Sequence, residues 1–258
     1  MIGALRTPDD ARWYRLSLGA LVLSAWAVLG VWGASPFAGL LSHREIGEAS
    51  LSPISRLAIF VFGWTLMTVA MMLPASLPLI NLFRRLVDRR PDRTGLVVRL
   101  IVGYVGVWTY FGALAYTGDA ALHEAVRRLP GLAAGGIGAT ILLAAGVYQF
   151  TPLKHACLEK CRSPYSFLVE QWHGQQAGRD ALRLGARHGL FCLGCCWTLM
   201  LLMFAIGGAN VGWMLALGAV MAAERGTRWG RYLTRPLGVA LTLWAALYLA
   251  GILPFSGS

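Results

Sequence analysis

The chain has 258 residues, of which 57% are hydrophobic and only 14% are charged, and its formal net charge is +11. Soluble domains average about 45–50% apolar and about 25% charged residues, so this composition excludes a soluble enzyme of ordinary surface and a disordered chain. Several long apolar runs also argue against a nucleic-acid-binding protein, which an excess of positive charge can otherwise indicate. The composition predicts an all-α polytopic membrane helix bundle that forms a single domain over residues 1–258.

Apolar stretches of about 20 residues, the length that crosses about 30 Å of hydrocarbon, define the predicted spans. Five stretches are clear in chain order: Leu16–Leu40, Leu57–Leu79, Leu100–Leu122, Leu132–Phe150 and Pro236–Leu253. A further stretch, Leu190–Ala223, is too long for one span and contains Gly207-Gly208-Ala209-Asn210, a pattern typical of a turn. Dividing it into Leu190–Ile206 and Val211–Ala223 gives about seven spans. Because the second piece is short, six spans with a re-entrant segment is the alternative.

The basic residues are distributed unevenly over the predicted loops. With seven spans, 19 of the 23 Lys and Arg residues lie on the side of the amino terminus, which also holds Asn81–Arg99, Thr151–Gly189 and Glu224–Arg235. That side carries the whole net charge of +11, and the opposite side is balanced. The positive-inside rule therefore predicts a cytoplasmic amino terminus. The first apolar run exceeds the core of a signal peptide, about 7–15 residues, so we expect it to be an uncleaved anchor.

All five cysteines lie in two clusters on the predicted cytoplasmic side. Cys157 and Cys161 lie in an eleven-residue segment between Pro152 and Pro164, where a short interfacial helix would place both sulfurs on one face. The second cluster, Cys192, Cys195 and Cys196, has the i, i+3, i+4 spacing of one helix face. Structural disulfides are disfavoured in the reducing cytoplasm. The clusters therefore predict a thiol metal site, with packing of small apolar side chains as the alternative.

Methionines supply a second type of soft ligand at a similar depth. At about 1.5 Å of rise per residue, Cys195 and Cys196 lie roughly 8–9 Å inside the predicted interface. Met71 and Met72 lie roughly 11–12 Å from the same side on the second span. Thiolate and thioether together favour Cu(I), whereas thiolates alone also suit zinc or an iron–sulfur cluster. Packing of the core is the alternative for each methionine.

Three other side chains are weaker candidate ligands. His155 adjoins the first cysteine pair, His188 lies four residues before Cys192, and Glu224 ends the sixth predicted span. For the histidines the alternative is a solvated side chain in a basic loop, and for Glu224 an interfacial ion pair. Pro74 and Pro78 interrupt the second span, and each frees a backbone carbonyl that must find another partner in a membrane.

Three motifs carry a resemblance to a known family. They are Trp64-Thr-Leu-Met67-Thr-Val-Ala-Met71-Met72-Leu-Pro74, Tyr148-Gln149-x-x-Pro152-Leu-Lys154-x-x-Cys157-Leu-x-x-Cys161-Arg162-x-Pro164 and Gly189-x-x-Cys192-x-Gly194-Cys195-Cys196-Trp197-x-Leu-Met200. Together they resemble the predicted metal-binding integral membrane proteins of unknown function. The resemblance implies a multi-pass protein of the bacterial inner (plasma) membrane that binds metal, and it implies no settled activity. Glu224-Arg225 stands where that family often has Glu-Lys.

These observations predict a protein that binds a soft metal, Cu(I) being favoured over zinc or an iron–sulfur cluster, for metal handling or loading. The partners implied are the lipid bilayer and a metal donor or acceptor protein, with no nucleic acid. The alternatives are a thiol–disulfide redox membrane protein and a non-catalytic subunit of a larger membrane complex. The chain has none of the usual hydrolytic or phosphate-binding motifs, so no catalytic residue is predicted and the question of enzymatic activity stays open.

Overall fold

The secondary structure is helical throughout the part of the chain that the structure describes. The computed structural model describes residues 8–35, 51–128, 134–207, 211–250 and 252. Its helices are α1 (Pro8–Gly33), α2 (Pro53–Met71), α3 (Leu73–Leu86), α4 (Arg93–Arg128), α5 (Ala134–Tyr148), α6 (Pro152–Arg162), α7 (Pro164–Gln171), α8 (Ala177–Gly207), α9 (Val211–Gly226) and α10 (Gly230–Leu249). The predicted all-α fold is confirmed.

Four of these helices contain a segment that is long and apolar enough to cross a membrane. The segments are Leu16–Gly33, Pro53–Met71, Arg93–Ala121 and Ala177–Leu202. Helix α5 contains a shorter apolar segment, and α9 has 16 residues, or about 24 Å at 1.5 Å per residue. Of the predicted turn Gly207–Asn210, Gly207 ends α8, and residues 208–210 lie outside the described residues. Seven spans and a cytoplasmic amino terminus therefore stay predictions.

Helices α4 and α8 form the central pair, and their backbones come into direct contact. A Cβ atom added to Gly103 on α4 would overlap the carbonyl oxygen of Leu182, and one added to Gly185 on α8 would overlap that of Leu100. Small residues allow this kind of close approach between helices. Helix α2 packs against α4, while α5 and α6 pack against α8 and α10 packs against α5. The close crossing brings Tyr104, the neighbour of Gly103, against the cysteine face of α8.

The predicted span Leu57–Leu79 is divided at Met72 into α2 and α3. The cause is Pro74, which has no N–H to donate to the carbonyl of Ala70 four residues earlier. That carbonyl instead accepts a hydrogen bond of 3.0 Å from Nε1 of Trp26 on α1. A neighbouring helix thus satisfies the group that the proline frees, as expected for a buried backbone carbonyl.

Trp26→Phe is expected to lower the free energy of unfolding by about 1 kcal/mol, because it leaves the Ala70 carbonyl without a donor. In a Pro74→Ala background the loss should be smaller, since residue 74 then offers its own N–H to that carbonyl. Chemical denaturation of the four proteins of this double-mutant cycle measures the coupling. Equal losses in both backgrounds would contradict the assignment.

Candidate metal centre

Three thiols gather on one face of α8, as their spacing predicts. The Sγ atoms of Cys192, Cys195 and Cys196 all lie within 4.8 Å of one another, and each side chain is at most 1% exposed. The thiols of Cys195 and Cys196 donate hydrogen bonds of 3.1 and 2.8 Å to the carbonyl oxygen of Cys192. Two thiolates at about 2.3 Å from one metal ion are at most about 4.6 Å apart, so small side-chain rotations would bring this cluster to ligand distances.

Met72 adds a thioether to this three-thiol cluster from the junction of α2 and α3. Its Sδ atom lies 3.9 Å from Sγ of Cys196, and its side chain is completely buried. The kink that Pro74 causes therefore lies directly beside the cysteines. Met71 is also buried, but its side chain packs against Gly218 of α9. Both methionines had been predicted at the depth of the cysteines, and the structure brings only Met72 to them.

Helix α6 supplies a fourth thiol, from Cys161. The helix occupies the segment predicted between the two prolines, and Thr151 caps it by accepting a hydrogen bond from the backbone N–H of Lys154. The thiols of Cys192 and Cys195, together with burial, raise the pKa of the Cys161 thiol well above its ordinary value. Its side chain keeps partial exposure, unlike the three thiols of α8.

Cys157 lies at the side of the cluster. Its Sγ atom contacts Gly194 so closely that a Cβ atom at that glycine would lie 2.5 Å from it. Burial raises the pKa of the Cys157 thiol, and the neighbouring Cys195 adds to the effect. The two cysteines of α6 thus both influence or contact α8, with the pKa of Cys161 raised by two cluster thiols and Cys157 packed against Gly194.

Two polar side chains that the sequence did not single out contact the cluster. The Arg225 guanidinium on α9 donates from Nη1 to Sγ of Cys192 and from Nη2 to Sδ of Met72, both at 2.9 Å. The Tyr104 hydroxyl lies 3.1 Å from Sγ of Cys192 and donates to the carbonyl oxygen of Met72 at 3.2 Å. The sequence offers two signals: a tyrosine near the start of the predicted span Leu100–Leu122, and Arg225, which the predicted topology counts among the orientation charges.

Comparison with known proteins agrees with this soft, sulfur-rich site. The model of the PpoB2 family, described as a copper chaperone, matches residues 61–248. The chain belongs to this family. The match includes all five cysteines, Met72, Tyr104 and Arg225, and the copper in the family's description is more specific than the metal-binding label that the three motifs implied. No curated protein and no solved structure matches the chain.

In this member of the PpoB2 family, Glu224 is held in an ion pair away from the sulfurs. Nζ of Lys154 lies 3.1 and 2.9 Å from the two carboxylate oxygens and also donates to Oε1 of Gln149. Lys154 is completely buried and Glu224 is 2% exposed. The Arg162 guanidinium donates to the backbone carbonyls of Glu224 and Thr227. These contacts fasten α6 to the end of α9, and a ligand role for Glu224 stays a prediction.

The two candidate histidines, His188 and His155, are placed differently. His188, 4% exposed, lies one helical turn before Cys192, with its ring 5.6 Å from the rings of Tyr104 and Phe167. Within the described residues its Nδ1 atom has no hydrogen-bond partner. His155 is half-buried on α6. Among the described residues, the group of His, Cys, Asp or Glu side chains close enough to hold one ion consists of Cys192, Cys195 and Cys196.

Proposed function

We propose that this protein is an integral membrane copper chaperone that binds Cu(I) at the thiols of Cys192, Cys195 and Cys196 and hands it to an acceptor protein. The observation that carries the proposal is the buried three-thiol cluster, within 4.8 Å, in a chain of the copper chaperone family. Thiolate and thioether sulfur select Cu(I) among the first-row ions, and zinc rarely uses the thioether that Met72 offers here.

Cys161 suits the proposed transfer step. Helix α6, which carries it, packs against α8, and its side chain is partly exposed whereas the three thiols of α8 are buried. A Cu(I) ion can pass between sulfur ligands by exchange, one thiolate entering as another leaves, and the ion keeps its oxidation state. We therefore place Cys161 on the path between an external donor or acceptor and the buried cluster.

The proposed location is the inner membrane of a bacterium, with the site open to the cytoplasm. Four long apolar helices and a net charge confined to one set of predicted loops support this arrangement. A cytoplasmic opening agrees with the cysteines, because thiols stay reduced in that compartment. Lipid surrounds the bundle in this proposal, and the protein's partners are the copper donor and acceptor.

Cu(I) binding by anaerobically purified protein in detergent tests the proposal. Wild type is expected to bind Cu(I) in competition with a chromogenic chelator, and X-ray absorption should show sulfur ligands only. Cys195→Ser and Cys196→Ser are each expected to weaken binding by at least about tenfold, because a hydroxyl is a poor ligand for this soft ion. Cys157→Ser is the matched control and should bind as wild type does.

Two outcomes would overturn this function. A reduced wild-type protein that binds no Cu(I) contradicts it, as does an equal loss of affinity in Cys157→Ser and Cys196→Ser. A thiol–disulfide redox protein, the alternative from the sequence, would instead give disulfide-linked peptides between α6 and α8 on mild oxidation and would show no requirement for metal.

A further inference from the structure

The Arg225 guanidinium is a buried charge whose partners are sulfur atoms. It is 9% exposed, and besides Cys192 and Met72 it donates from Nε to the carbonyl oxygen of Met221 at 3.2 Å. No carboxylate in the described part of the chain pairs with it. A buried charge requires an opposite charge or strong hydrogen bonds, and the groups that accept hydrogen bonds from this cation are two sulfur atoms and one backbone carbonyl.

The neighbouring buried cation shows the contrast. Lys154 is also completely buried, yet it has its own carboxylate, that of Glu224, at 2.9 Å. Arg225, the next residue in sequence after Glu224, has sulfur atoms as partners instead of a carboxylate. Charge at the metal centre is therefore set by the sulfurs, by the bound ion and by one permanent cation, because an arginine stays protonated in proteins.

We propose that Arg225 determines the charge of the ion that this site accepts and makes it selective for a monovalent soft cation. The inference deepens the proposed function and rests on it. With the same thiolates bound, the complex of a monovalent ion carries one more unit of negative charge than the complex of a divalent ion. The guanidinium therefore stabilises the monovalent complex more, and the low dielectric of the buried site makes this difference large.

Replacement of Arg225 by a neutral side chain should therefore change the ratio of affinities for two ions. The variants are Arg225→Gln, which keeps a polar side chain, and Arg225→Met, which replaces the buried charge by an apolar side chain. The measurement is the ratio of the Cu(I) and Zn(II) dissociation constants of each purified protein, from chelator competition under reducing conditions. A ratio is used because the two complexes differ by one unit of ion charge when both ions bind the same thiolates, and the protonation state of the metal-free thiols cancels from it.

In the neutral variants, Zn(II) affinity is expected to rise relative to Cu(I) affinity by at least about tenfold. Arg225→Lys keeps the charge and should keep the wild-type ratio within a few-fold. Arg162→Gln is the matched control, because that guanidinium binds the same end of α9 and its hydrogen bonds go to backbone carbonyls rather than to sulfur. Its ratio should equal that of wild type.

The outcomes separate this inference from the proposed function. An unchanged ratio in whichever of the neutral variants folds, with Cu(I) still bound through the three cysteines of α8, overturns the role of Arg225 and leaves the copper site intact. A wild-type protein that binds no Cu(I) overturns both. A ratio that shifts equally in Arg162→Gln would also overturn the role, because the effect would then come from the packing of α9.

Discussion

Lys154→Met is expected to lower the free energy of unfolding by about 3–5 kcal/mol, the typical effect of removing one partner from a buried ion pair. The variant leaves the Glu224 carboxylate buried, at 2% exposure, without its cation. The double variant Lys154→Met/Glu224→Leu should recover most of that loss, because it removes both charges from the interior. Chemical denaturation in detergent gives the stabilities, and the double-mutant cycle gives the coupling.

Lys160→Met is the control on the same helix. Lys160 pairs with Glu170 at 2.8 Å, but both side chains are at least 40% exposed, and an exposed pair contributes less than about 1 kcal/mol. Similar losses of stability in the two lysine variants would show that Lys154 is not the buried partner of Glu224. The Lys154–Glu224 pair fastens α6 to α9, so Lys154→Met should also weaken the proposed Cu(I) binding by displacing Cys161.

The sequence predicts best those site residues that are close to one another in the chain and lie on the same helix. Cys192, Cys195 and Cys196 occupy one helix face because 3.6 residues make one turn, and the spacing alone is enough to place them together. The short helix that carries Cys157 and Cys161 follows from the prolines at its two ends, which fix where it starts and where the next helix begins. Estimates of depth along two antiparallel spans were enough to bring Met72 to the level of the cysteines.

Contacts between distant helices depend on rotation and register, which those local rules do not determine. The position of Glu224 allowed a metal ligand or an ion pair, and its pairing with Lys154, 70 residues away in sequence, is visible only in the packed bundle. The sequence places Arg225 in a predicted loop and so among the orientation charges. Nothing in the sequence indicates that the end of α9 turns this side chain inward. Met71 and Met72 are neighbours in sequence, and the kink at Met72 decides which of them meets the thiols.

Gly185→Ala is expected to destabilise the protein by about 3 kcal/mol, at the upper end of the usual effect of overpacking. The added Cβ would overlap the backbone carbonyl of Leu100, which cannot rotate away as a flexible side chain could. Any relief must separate α4 from α8 and so move Tyr104 away from Cys192, which lie 3.1 Å apart. Thermal or chemical denaturation measures the first effect, and Cu(I) affinity measures the second.

Gly106→Ala on α4 is the matched control, since a Cβ at that position meets no atom within 4 Å. Alanine there should be neutral or slightly stabilising, because it is a better helix former than glycine by about 1 kcal/mol. If Gly185→Ala were as stable as Gly106→Ala, the close crossing of α4 and α8 would be wrong. If Gly185→Ala were destabilised while Cu(I) affinity stayed at the wild-type value, the close crossing would be needed for stability only. The contact between Tyr104 and Cys192 would then not contribute to the proposed metal centre.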